Sequence, residues 1–132
     1  QQPNIASDIR DRLNWCQGLN QSDAEQAEVA AQEFINFWHT HILPSVNHVL
    51  ILPTTPGAAP LLDMSASKQL KYRSRLLGLT APAGLTRSPQ INLPYLESEQ
   101  APWGVSLLAN SGCDHALLSC ATKLDTIFQQ IC

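Results

Sequence analysis

The chain has 132 residues, enough for one domain, 1–132, built on one hydrophobic core. Its net charge of -3, with no run of Lys or Arg, excludes nucleic acid as the main partner, because binding phosphates takes a basic stripe. Hydrophobic residues make up 44% and charged residues only 14%, so more neutral surface than usual is left to meet another chain.

The first helix is expected to start at Ser7 as N-cap, to bury Ile9, Leu13 and Cys16, and to end at Gly18 in the left-handed conformation. A second follows at once. Ser22 and Glu25 have the spacing of a capping box, Ala27, Ala31, Phe34, Trp38 and Ile42 fall on one stripe, and Pro44 stops the helix near Leu43. His48 to Leu52 is a continuous apolar run that suits a strand buried on both faces. The stretch Thr54 to Pro60, rich in proline, must leave the carboxyl end of that strand as a loop. Ser65 to Leu79 reads as a helix, disrupted afterwards by Pro82 and Gly84.

Gln90 to Leu93 alternates polar and apolar residues and is closed by Pro94, the polar run Glu97 to Gln100 connects, and Trp103 to Ala109 is a second apolar strand. Asn110, Ser111 and Gly112 break it. From Asp114 the apolar positions Leu117, Leu118, Ala121, Leu124, Ile127, Phe128 and Ile131 recur at three and four, which predicts a final helix. The expected fold is therefore α/β, a small mixed sheet of about three strands with helices packed on it. The first two strands, joined by a helical crossover, would be parallel if adjacent, and the last two antiparallel.

Candidate chemistry is sparse. Cys16, Cys113, Cys120 and Cys132 have no metal-ligand spacing and read as buried free thiols. His39 and His41, two apart and about 200° round a helix, cannot face one metal together. The sequence has no Gly-x-Ser-x-Gly elbow, no phosphate-binding glycine loop and no His-Glu-x-x-His. No apolar run approaches the roughly 18 residues that span a bilayer, so no membrane association is expected and the chain reads as soluble and cytoplasmic.

Several stretches in order carry a resemblance: VLILPTTPGAAP at Val49 to Pro60, a helix bearing Arg73, SPQINLP at Ser88 to Pro94, and APWGVSLLANSGCDHALL at Ala101 to Leu118. Together with the helix-rich lead they resemble the closing third of the amidase signature enzymes, hydrolases of carboxamides that use a Ser-Ser-Lys triad. Arg87 and Ser88 stand where that pattern has Gly-Leu, Asn92 where it has Ser, and Trp103 where a small aliphatic residue is common. The resemblance implies a part of a larger sheet-and-helix fold. It assigns no catalytic residue to this chain, because the pattern's lysine and serines lie upstream of the matched region. It implies that Thr54, Thr55, Pro56 and Gly57, with Pro94 and Tyr95, border a substrate cleft, and that neither cofactor nor metal is used. The expected partner is the missing amino-terminal part of an amidase, or a second copy in a homodimer joined through uncovered strand edges. The alternative is a non-catalytic interaction module on the same fold.

Overall fold

The structure, a computed structural model, describes residues 5–98 and 101–131. The chain divides into two compact units, Gln1–Phe34 and Ile35–Cys132.

The first unit holds α1, Ser7–Gln17, and most of α2, Gln21–Phe37. Ala6 occupies the N-cap of α1, so Ser7 begins the helix instead of capping it. Gly18 ends it in the right-handed region at φ -82°, its N–H bonded to the Trp15 carbonyl at 3.0 Å, so no left-handed glycine is needed. The cap of α2 lies two residues earlier than the sequence spacing suggests. Asn20 Oδ1 accepts from the backbone N–H of Ser22 at 2.8 Å and of Asp23 at 3.2 Å, and Asp23 accepts from the Asn20 N–H at 2.8 Å. This is the reciprocal logic of a capping box, built by Asn20 and Asp23. Ser22 and Glu25 are turned to other tasks, accepting side-chain bonds from Gln26 and Gln21. Neither helix contains a buried residue, and Cys16 is exposed, contrary to the buried thiol expected.

In the second unit, the end of α2 widens into a π-helical turn over Trp38–Ile42, closed by a Leu43 N–H bond to the Trp38 carbonyl at 2.9 Å. A π turn takes an extra residue per bond and re-aims the side chains that follow. Here Trp38 is buried at 6% exposure and Leu43 at 2%. The Asn110 side chain, from the turn after the third strand, donates to the carbonyls of Leu43 and Ser45, both at 3.0 Å, and fixes the chain entering the sheet.

The sheet has three strands, β1 Val49–Pro53, β2 Gln90–Ser98 and β3 Ala101–Ala109, in the order β1-β3-β2. Both pairings are antiparallel, with Val49 opposite Ala109 and Leu52 opposite Ser106 on one side and Asn92 opposite Ser106 on the other. The mixed pairing expected does not arise, because β3 lies between β1 and β2. The central strand is β3, whose residues 106–109 are all buried, whereas β1 is at an edge with Ile51 63% exposed. An apolar run alone did not distinguish a central strand from an edge strand. Strand β2 continues past Pro94 through a register shift between Leu93 and Leu96, a place where proline's missing donor is tolerated. Glu99 and Gln100 of the connection lie outside the described residues, as does Cys132.

Helix α4, Asp114–Ile131, crosses one face of β2 and β3. Leu93, Leu107, Ala109, Leu117 and Ala121 form the core between them, with Ile91, Tyr95, Cys113, Leu124 and Phe128 packed against it. Each buried leucine contributes about 1.5–3 kcal/mol. Leu118 and Ile127, expected on the same stripe, are exposed. Helix α3, Ala66–Thr86, runs straight through Pro82 and Gly84, well past the disruption expected there. The proline forfeits one internal bond, but the next turn is tied back by the Thr86 hydroxyl, which donates to the Pro82 carbonyl at 2.7 Å.

Candidate functional site

The carboxyl end of β1 and the loop that leaves it meet the polar face of β2 and β3. The period of two in a strand puts Gln90 and Asn92 on one face of β2, and Gly104 and Ser106 on the same face of β3. Thr54, just past β1, is anchored there by its own N–H, which donates to the Gly104 carbonyl at 2.9 Å. Its hydroxyl donates to Asn92 Oδ1 at 2.5 Å and lies 2.9 Å from Ser106 Oγ, which in turn accepts from Gln90 Nε2 at 2.8 Å. One orientation satisfies all of them: Gln90 donates to Ser106, Ser106 to Thr54, and Thr54 to Asn92, so each hydroxyl donates once.

Ser106 is wholly buried, and its oxygen is engaged on both sides. It is a link in a relay across the three strands. Asn92 is exposed, its side-chain oxygen is held by Thr54, and its amide nitrogen keeps two N–H donors that this bond does not use. Such a fixed amide can bind a carbonyl or carboxylate oxygen.

The loop itself is folded back by short bonds. The Thr55 hydroxyl donates to the Gly57 carbonyl at 2.8 Å, and the Tyr72 hydroxyl of α3 reaches the same carbonyl at 3.4 Å. Beyond it, Pro60, Leu61, Leu62, Gln69, Tyr72 and Arg73 line a depression of about 340 Å³. Among the described residues no group of three or more His, Cys, Asp and Glu could hold a metal ion. His39 and His41 are exposed, His39 Nδ1 lying 3.2 Å from Asn110 Oδ1 and His41 stacking on Phe37.

Of the six residues expected at a cleft border, Thr54, Thr55, Pro56 and Gly57 come together in this loop, and Thr54 joins the relay. Pro94 is exposed at the irregularity in β2. Tyr95 takes a place in the packing under α4, stacked on Phe128 at 5.2 Å and hydrogen-bonded to Asp125. The relay partners Gln90, Asn92 and Ser106 were not singled out from sequence. The signal was present: two polar residues alternating in β2 beside Gly-x-Ser in β3 predict a polar stripe on an otherwise apolar sheet.

No protein-family model matches the chain. Amidase 1 of Oryza sativa subsp. japonica is 29% identical over 123 residues, which cover 92% of this chain and 28% of the relative. Amidase 1 of Arabidopsis thaliana is 37% identical over 76 residues, 58% of this chain and 18% of the relative. A crystallographically determined amidase superposes with a TM-score of 0.74 at 21% identity, over 92% of this chain and 29% of that one. The chain is similar to one part of an amidase. It spans less than a third of the length of the amidases it matches. The structural likeness establishes the fold, an α/β arrangement of four helices and a three-stranded sheet shared with that amidase segment.

Proposed function

We propose that the chain is the carboxyl-terminal segment of an amidase-signature hydrolase that cleaves carboxamide C–N bonds, and that it acts only together with the part carrying the Ser-Ser-Lys triad. The similarity to two plant proteins named Amidase 1 carries this reading. In it, the loop Thr54 to Gly57, with Pro94 at the irregularity of β2, borders the cleft, and the amide nitrogen of Asn92 positions a substrate oxygen. The burial of Ser106 supports the view that this serine is no nucleophile, since an activated serine must reach both a base and the substrate.

The test has two arms. The 132-residue chain, incubated with aryl and aliphatic amides, is expected to release no ammonia or amine. The coding sequence on its amino-terminal side is expected to continue through a Gly-Ser-rich segment with a lysine before it, and that longer product to hydrolyse at least one of the amides. Hydrolysis by the 132-residue chain that survives repurification, or a longer product without such a segment, overturns the proposal.

A further inference from the structure

The relay across the three strands has a direction, and one end of it decides the other. A hydroxyl donates a single hydrogen. Ser106 is wholly buried, and among the described residues its oxygen has two partners, Gln90 Nε2 at 2.8 Å and Thr54 Oγ1 at 2.9 Å. The amide nitrogen of Gln90 only donates, so the Ser106 hydrogen has Thr54 as its acceptor. The Thr54 hydrogen is then left for Asn92 Oδ1, 2.5 Å away. Turning the two hydroxyls round would aim the Ser106 hydrogen at a donor and leave it unpaired in the interior, with the full desolvation penalty of a buried polar group.

The exposed end of the relay therefore has a fixed polarity. Asn92 lies over Gly104, where a Cβ would meet its Oδ1, so the carboxamide is held in place and what can vary is which of its two ends faces Thr54. With the oxygen engaged, Nδ2 has no partner among the described residues and keeps both donors. The complementary group on a ligand is an oxygen that only accepts. Were the relay to run the other way, Asn92 would hold Thr54 through its nitrogen and offer its own oxygen, which suits an N–H and repels a carbonyl or carboxylate.

We infer that Gln90 is a specificity-determining positioning residue. It lies two residues from Asn92 on the same face of β2, and through the hydroxyls of Ser106 and Thr54 it sets the donor polarity that Asn92 presents to a carbonyl or carboxylate oxygen. That this oxygen belongs to a carboxamide substrate rests on the amidase reading above; the direction of the relay does not. Gln90→Glu is the isosteric reversal. An ionised carboxylate only accepts, so Ser106 donates to it, Thr54 donates to Ser106 and Asn92 Nδ2 donates to Thr54, which turns the unengaged end of the Asn92 amide from donor to acceptor.

NMR on the isotope-labelled 132-residue chain at neutral pH reads the polarity of Asn92. In the unsubstituted chain its side-chain NH2 protons are expected to give weak NOEs to Thr54, and to shift when N,N-dimethylacetamide, a neutral carbonyl compound without an N–H, is added. In Gln90→Glu the NOEs to Thr54 become strong and the shift with the probe is lost. Gln90→Met, which removes the donor at little change in bulk, is expected to give both orientations and NOEs of intermediate strength, and it serves if the glutamate variant does not fold. Adding Thr54→Val cuts the relay, so that the Asn92 signals no longer depend on the residue at position 90. Backbone amide spectra check the fold of each variant. None of these readouts requires turnover, so a longer product that hydrolyses no amide fails the reading above without touching them. Strong NOEs to Thr54 already in the unsubstituted chain overturn the inference. So do Asn92 signals that ignore the probe there, an orientation indifferent to both changes at Gln90, or a reorientation that persists with Thr54→Val.

Discussion

At Gly104 a single hydrogen atom stands where a Cβ would overlap Asn92 Oδ1 and come within 2.8 Å of Thr54 Oγ1. The glycine is required by crowding, not by backbone conformation, because three strands bring polar side chains over it. Gly104→Ala must push Asn92 aside and break its bond with Thr54, leaving polar groups in the relay unsatisfied. The expected cost is about 1–3 kcal/mol, within the range of overpacked sites and lost buried bonds, read as a lower urea midpoint. An unchanged midpoint would mean that Asn92 swings clear without loss. The alternation that builds this relay was legible in Gln90, Asn92, Gly104 and Ser106, but the closing member was not. Thr54 reaches them only because β1 lies beside β3, a pairing that no local pattern states.

Among the elements, α3 shows how tertiary context overrides a breaker. Pro82 and Gly84 predict an end near Leu79, yet the helix runs to Thr86 and then stops in two paired bonds, Ser88 N–H to the Ala83 carbonyl at 2.9 Å and Arg87 N–H to the Gly84 carbonyl at 3.4 Å. This double closure places one residue in the left-handed region, a position glycine usually fills. Here it is Arg87, at φ 55°, the residue that stands where the resembling amidase pattern has Gly. Arg87→Gly is therefore expected to be neutral or to raise stability by up to about 1 kcal/mol, since glycine adopts this conformation without a Cβ clash. A clear drop in melting temperature would show that the arginine side chain contributes more than its backbone costs. Helix α4 and the turn at Gly112, which has φ 80°, were legible because apolar spacing and turn residues agree there. The cap at Asn20 was not, because two overlapping box patterns compete and the sequence does not rank them.

For the molecule as a whole, burial is unevenly shared. Helix α1 has no buried residue, and α2 has none, whereas β3 ends in four consecutive buried residues. Local opening is cheapest where few apolar contacts must break. Amide hydrogen exchange is accordingly expected to be fast across α1 and the first turns of α2, and slowest at Ser106 to Ala109. Equal protection in the two regions would mean that the helices of the first unit are held by contacts beyond their own. No helix among the described residues is long and apolar enough to cross a membrane.

The strand order β1-β3-β2 also bears on how the chain is made. Val49 finds its partner Ala109 about 60 residues further along, and at a synthesis rate of roughly 5–20 residues per second that interval lasts several seconds. Throughout it the segment Val49 to Leu52 is apolar, uncharged and without the strand that will cover one of its edges. Nascent chains stalled before β3 has emerged should therefore recruit holdase chaperones at this segment, and chains stalled beyond α4 should not.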